Sequence, residues 1–258
     1  MLIDPHAGFM EDGSRLIGAA RHFAPAGTPP RHAHTRGQIA YCPDAVIQVA
    51  AGERLHVLAP GEAMWLPGGL PHRISARTAR SALNLYLRPD VVPGLGGKAV
   101  ALALGALERE LVRTTAKASP SDRATPAFER LVDVLFDRLR PSPSAAPLGR
   151  TPSDPRLAAM HEHWLADEED ERDLAAWAER LALSTRTLQR RIHAATGLSF
   201  RLWRRQVRLL RAAEALLNGK PVKAAAMDAG YASTSAFVAA FREAFGVTPG
   251  ALQRRQRD

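Results

Sequence analysis

Residues 173–197 read DLAAWAERLALSTRTLQRRIHAATG, and the pattern is helix, turn, helix. On the first helix Leu174, Ala178 and Leu181 make an apolar edge. Ser184 stands where its hydroxyl can cap the second helix by accepting from an orphan amide. On that second helix Leu188 and Ile192, one turn apart, face inward. Arg186, Gln189, Arg190 and His193 are left on other faces, and the N-terminal members of such a helix are the ones that enter a major groove. The pattern returns in PVKAAAMDAGYASTSAFVAAFREAFG, residues 221–246. There Ala225 and Ala226 permit close helix approach, Gly230 suits a left-handed turn, Ser233 is the expected cap, and Phe237 and Phe241 are the inward pair. Between the units, SFRLWRRQVRLLRAAEALL (residues 199–217) places Arg201, Arg204, Arg205, Arg208 and Arg211 along one basic stripe, with Leu202, Leu209 and Leu216 away from it. Such a helix is roughly 28 Å long, enough to hold two recognition helices about one turn of DNA apart.

Charge singles out the same segment. Residues 174–258 carry 15 Lys/Arg against 5 Asp/Glu, and residues 1–173 carry 20 against 21, so the net +9 belongs to the C-terminal part. Nearly all of it is arginine, whose planar fork binds phosphate or guanine with two parallel hydrogen bonds. A basic segment beside a neutral one reads as a nucleic-acid module joined to something else. The acidic run DEEDERD (residues 167–173) reads as a solvated loop leading into a helix.

The composition, 46% hydrophobic and 24% charged over 258 residues, is that of a globular protein with room for two domains. No apolar run is long enough to span a bilayer, and the amino terminus lacks the basic and apolar regions of a signal peptide, so a cytoplasmic protein is expected. A lone cysteine, Cys42, excludes an internal disulfide and any multi-cysteine zinc site, and reads as a packed thiol. PGLGGKA near Lys98 lacks the spacing of a phosphate-binding loop, and neither GxSxG nor HExxH is present.

From Ser14 to about Pro89 short apolar runs alternate with Gly and Pro: LIGAARHFA, QIAYC, AVIQVA, RLHVL, AMWLP, RISA and ALNLYL. Closely spaced short strands of this kind predict a small sandwich or barrel. Two helical stretches follow. Residues 98–117 set Leu104, Leu107, Leu111 and Val112 on one face, and residues 125–140 repeat Phe128, Leu131, Val132, Leu135 and Leu139 at helical spacing. PSPSAAPLGRTPSDP (residues 141–155) is the linker candidate.

The C-terminal segment resembles the DNA-binding domain of the AraC/XylS family of transcription regulators. The likeness rests on LAAWAERLALSTRTLQRRI (residues 174–192) and AMDAGYASTSAFVAAFREAFGVTP (residues 226–249). It implies that Arg186, Gln189 and Arg190 read bases from the first recognition helix, with Thr234, Ser235 and Ala239 in the corresponding places of the second. That second set is short and nearly apolar, suited to thymine methyls or phosphates, so the first unit is expected to carry most specificity. Arg191, Arg204, Arg208 and Arg242 complete the expected DNA-binding set.

RHAHTRGQ (residues 31–38) and GEAMWLPGGLPHRI (residues 61–74) resemble the two motifs of the cupin barrel. His32, His34 and His72 match its three metal-binding histidines, and Pro67 and Gly69 match its turn. Gln38 stands where the acidic ligand belongs, and a carboxamide holds a dication less strongly than a carboxylate. Two readings stay open: a divalent transition metal on His32, His34 and His72, or a metal-free polar pocket for an organic effector, built by His32, His34, Gln38 and His72 with Trp65 as an aromatic wall. Taken together the motifs resemble the AraC-type regulators that repress efflux of nitroimidazoles and similar small compounds.

The expected architecture is α+β and multidomain: a cupin-like sensor barrel (1–97), connecting and dimerisation helices (98–140), a linker (141–155) and an all-α DNA-binding domain of two helix-turn-helix units joined by a linker helix (156–258). The expected function is effector-responsive transcription control of a nearby efflux transporter gene, without enzymatic activity. The expected partners are a double-stranded DNA operator, a small-molecule effector, RNA polymerase and a second copy of the chain. A cupin metalloenzyme fused to a DNA-binding tail and an effector-independent DNA-binding protein are the alternatives.

Overall fold

The structure is a computed structural model and describes residues 13–22, 30–58, 62–76, 81–88, 90, 91, 93–142, 149, 150, 152, 154–167 and 170–255. The chain forms two compact units, Met1–Gly52 with Val57–Ala145, and Glu53–His56 with Ala146–Asp258. Among the described residues no helix is long and apolar enough to cross a membrane.

In the first part every apolar run named above becomes a strand: β1 (Leu16–His22), β2 (Gly37–Tyr41), β3 (Ile47–Ala51), β4 (Arg54–Leu58), β5 (Glu62–Leu66), β6 (His72–Ser75) and β7 (Ser81–Leu87). To these the structure adds β8 (Val100–Ala103), while the short β9 (Gly149–Arg150) belongs to the second unit and pairs with Arg54 and Leu55. They form a five-stranded sheet, β1-β7-β2-β5-β8, and a four-stranded sheet, β6-β3-β4-β9. Side chains alternate across each strand, so the first sheet has two different faces. Ala40, Met64, Leu66 and Ala101 point one way and pack with Ile47, Val49, Leu58 and Ile74 of the second sheet, forming the barrel interior. Ile39, Tyr41, Trp65 and Leu85 point the other way.

That outer face is covered by α1 (Ala106–Lys117) and α3 (Pro126–Arg138), joined through the single turn α2 (Pro120–Arg123). Thr125 caps α3 by accepting from the Phe128 amide. Leu111 and Val112 of α1 and Phe128, Val132 and Leu135 of α3 share one buried cluster with the sheet. Two expectations are corrected here. Residues 100–103 are a strand, not the start of a helix, because their backbone completes the edge of β5, with Trp65 opposite Val100. Residues 98–140 are accordingly no separate module. Their apolar stripe is spent inside the subunit: Leu135 is fully buried, whereas Leu107, expected on the packed face, is 52% exposed. The expected linker lies largely outside the described residues.

The second part is helical: α4 (Pro155–Ala166), α5 (Leu174–Arg180), α6 (Thr185–Thr196), α7 (Phe200–Leu217), α8 (Val222–Asp228), α9 (Thr234–Phe245) and α10 (Pro249–Arg255). The expected caps, turn and inward pairs have their structural counterparts. Ser184 and Ser233 accept from the amides of Thr187 and Ala236, capping α6 and α9. Leu188, Ile192, Phe237 and Phe241 are fully buried. Gly230, with φ +77°, makes the turn between α8 and α9. Leu209 and Leu216 of α7 are buried as expected, but Leu202 is 46% exposed. The buried place falls to the next residue, Trp203, which meets Trp164 at 4.9 Å and stacks on His161.

Candidate functional sites

The first site forms where two loops meet. His32 and His72 exchange backbone hydrogen bonds, N to O at 2.9 and 2.8 Å, and the Gly69 amide donates to the His34 carbonyl at 2.8 Å. A Cβ on Gly68 would lie 2.1 Å from the Thr35 carbonyl oxygen, so only glycine lets the loops approach this closely. The imidazole centroids of His32, His34 and His72 stand 4.5 to 6.0 Å apart. His34, Gln38 and His72 are buried, and His32 is half-buried.

Each buried imidazole is oriented from behind. Nδ1 of His34 lies 2.6 Å from the Arg36 carbonyl, and Nδ1 of His72 lies 2.8 Å from the Leu70 carbonyl. A carbonyl only accepts, so both Nδ1 atoms carry the proton. Burial pushes the His72 pKa down to about 4, which keeps that ring neutral. When the rings are neutral in this tautomer each Nε2 offers a lone pair, and both Nε2 atoms point at Gln38 Oε1, at 2.9 Å from His34 and 3.0 Å from His72. Gln38 Nε2 donates in turn to Asn84 Oδ1 at 2.9 Å. Lone pairs facing a carbonyl oxygen repel, and two arrangements relieve them. A cation can sit among the nitrogens and Oε1. Alternatively the carboxamide is turned, so that its NH2 donates to both imidazoles and its carbonyl accepts from a turned Asn84.

The donor set fits a divalent transition metal. One nitrogen from each of His32, His34 and His72 lies within 4.8 Å of the others, and the Nδ1–carbonyl hydrogen bonds are the outer contacts that orient metal-bound imidazoles. A metal here would be held by the three histidines, with Gln38 as a neutral fourth ligand.

Trp65 does not belong to this site. Gln38 pairs with Leu66, and Ile39 with Trp65, so strand alternation sends Trp65 to the opposite face of the sheet. It packs in the outer core across Gly37 and donates through Nε1 to the Gly96 carbonyl at 3.1 Å. The aromatic neighbour is instead Tyr86, opposite Gln38 on β7, with its ring 5.2 Å from that of His34. Asn84 and Tyr86 were missed because ALNLYL carries no motif; only its pairing with β2 brings them in. Cys42 is buried, and burial pushes its thiol up to about 12, so it is a packed thiol.

The second site is the surface of the helical part. On α6 Arg186, Gln189 and Arg190 are exposed, as are Thr234, Ser235, Ala239 and Arg242 on α9. Three of the expected arginines are engaged within the protein. Arg191 reaches back to Asp154 at 3.2 Å. Arg204 donates to the Arg172 carbonyl at 2.8 Å and to the Asp170 carbonyl, with its guanidinium over the Trp164 ring. Arg211, from the same stripe, donates to the Asp167 carbonyl. The expected uniform phosphate-facing stripe is therefore corrected: Arg204 and Arg211 anchor the acidic run to α7. The run itself is not simply solvated. The Asp170 carboxylate is 1% exposed and accepts from Arg172 at 2.8 Å. Burial works to raise its pKa, but the Arg172 hydrogen bonds and charge outweigh it and hold the group below the usual carboxylate range. Within the stripe Arg201, Arg205 and Arg208 keep access to solvent.

Comparison with known proteins assigns both parts. Residues 16–151 match the AraC-like ligand-binding domain, and residues 177–255 match a helix-turn-helix domain. The chain is 34% identical over 223 residues to the HTH-type transcriptional regulator NimR of Escherichia coli, covering 86% of this chain and 81% of that protein. It is 28% identical to the HTH-type transcriptional regulator RipA of Corynebacterium glutamicum, covering 84% of this chain and 61% of that protein. Among solved structures, the C-terminal domain of AraT, a response regulator from Geobacillus stearothermophilus, is 29% identical over 39% of this chain and 85% of that one, with a TM-score of 0.34. The chain belongs to the AraC family of transcriptional regulators, with a ligand-binding domain followed by a DNA-binding helix-turn-helix domain.

Proposed function

We propose that this regulator senses a small molecule at the His32–His34–His72 centre and thereby changes its affinity for an operator beside an efflux transporter gene. The observation that carries the sensor reading is the pair of buried Nε2 atoms, of His34 and His72, converging on Gln38 Oε1. A ligand bringing hydrogen-bond donors, or a cation, replaces an internal repulsion or hydrogen bond there. Such a ligand alters DNA affinity only in so far as it binds two states of the protein differently. On the DNA side Arg186, Gln189 and Arg190 read bases, while the short residues Thr234, Ser235 and Ala239 contribute thymine-methyl or phosphate contacts. The protein acts in the cytoplasm, alongside RNA polymerase.

The metal reading is favoured by the orientation of the imidazoles, and bound metal would supply a Lewis-acid position for an effector with a lone pair. One experiment tests both. His34→Ala and His72→Ala are expected to lose the response of operator binding to added nitroimidazoles, while effector-free binding stays within a few-fold of wild type. Variants that respond fully exclude this centre as the sensor. In untagged protein, about one metal per subunit, lost in His34→Ala, supports a ligated cation, and metal-free wild type supports the organic pocket.

The protein is proposed to act as a homodimer, since a two-fold partner lets one regulator address paired half-sites. With the α3 stripe buried, the large apolar residues exposed on α1 and α3, among the described residues, are Leu107 and Val134, 52% and 42% exposed. Light scattering of the full chain is expected to give a dimer at micromolar concentration, and Leu107→Glu with Val134→Glu a monomer. A monomeric wild type rejects the dimer.

A further inference from the structure

A groove of about 610 Å³ runs between the first half of α7 and the turn that enters α9, lined by Arg201, Leu202, Arg205, Arg208, Gly230 and Tyr231 among others. We propose that it grips the DNA sugar–phosphate backbone flanking the base pairs met by α9, with Arg201, Arg205 and Arg208 as phosphate ligands. The proposal rests on the DNA-binding assignment and adds a site to it.

Charge is the first argument. Among the described residues neither Arg201 nor Arg208 has an acidic partner, and the acid near Arg205 is Glu243, at 3.4 Å and 80% exposed on its side chain. So exposed a pair is held weakly and yields to a phosphate. Arg205 Nε donates to the Tyr231 hydroxyl at 3.1 Å, which holds the guanidinium toward the groove and leaves the hydroxyl proton free to face an anion. Continuity is the second argument. Ala229 to Ala232 form one wall, and Ser233, the next residue, caps α9, so a duplex seated on α9 meets the groove at its edge. Gly230 is required in this wall by its φ of +77°, and a Cβ there would meet only the mobile end of the Arg208 side chain. The site also compensates for the second recognition helix: Thr234, Ser235 and Ala239 offer little grip on base edges, whereas phosphates position a helix without reading sequence.

The test uses the full-length protein, a labelled duplex of its own upstream region and a scrambled duplex of equal length. Arg205→Ala, Arg208→Ala and the double variant are measured over a salt series, with thermal melting to confirm folding. Each single variant is expected to weaken both duplexes by a similar factor and lower the salt slope by about 1, and the double variant by about 2. A folded double variant with wild-type affinity and slope overturns the proposal, and so does a loss confined to the upstream duplex. Wild-type DNA binding with lost transcription in the presence of RNA polymerase overturns it in favour of an acidic protein partner. Arg190→Ala on the same duplexes separates the levels: if it loses sequence preference while the groove variants do not weaken binding, the groove proposal alone fails.

Discussion

Raising monovalent salt from 50 to 200 mM is expected to weaken operator binding by roughly 250-fold or more, from a log–log slope of magnitude about 4. The reason is the segregation of charge. The C-terminal segment holds 15 Lys/Arg against 5 Asp/Glu, while the rest of the chain is nearly neutral. Each arginine that neutralises a phosphate releases condensed counterions, and the release costs more as bulk salt rises. The correction to the basic stripe limits the number of contacts. Arg191, Arg204 and Arg211 are engaged internally, so Arg186, Arg190, Arg201, Arg205, Arg208 and Arg242 carry the effect. Fluorescence anisotropy across the salt range checks it. A change below tenfold, or equal affinity for the upstream region and random DNA at every salt, rejects the electrostatic reading.

Arg204→Ala is expected to destabilise the helical part by roughly 2–4 kcal/mol, through the loss of two charge-assisted hydrogen bonds and an aromatic contact. For a unit of this size that lowers the melting temperature by roughly 10 °C or more. Its guanidinium is committed to the carbonyls of Asp170 and Arg172 and lies over Trp164. Removing it leaves main-chain acceptors unpaired beside the buried Asp170 carboxylate, and the segment before α5 loses its anchor. At a temperature where the variant is folded, the salt slope for DNA should match wild type. Arg190→Ala should behave in the opposite way, with unchanged melting and a loss of roughly 1–3 kcal/mol on the specific site with relaxed base preference. Calorimetry and binding on the two variants decide. Unchanged melting with a reduced salt slope in Arg204→Ala would return this residue to the phosphate contacts.

Local signals in the chain carried most of the architecture. Ser184 and Ser233 cap helices because a hydroxyl next to an orphan amide acts within a few residues. Leu188, Ile192, Phe237 and Phe241 are buried because helical periodicity alone decides which side chains share a face. The three histidines and Gln38 were legible as two spaced motifs, and the backbone bridge between His32 and His72 joins them. What the chain could not reveal depends on partners far away in sequence. Val100–Ala103 has the composition of a short helical start, and becomes a strand because β5 offers an unpaired edge. Trp65 lies within a pocket motif, yet the face it takes follows from the register of β5 on β2. Asn84 and Tyr86 enter the site through the same pairing, seen from β7. Arg204 is identical in type to Arg205 and adjacent to it, but its donors find carbonyls more than 30 positions upstream, while those of Arg205 face a groove. Periodicity and capping are short-range and therefore written in the sequence; strand register and the choice of partner for a long charged side chain are settled by tertiary contacts.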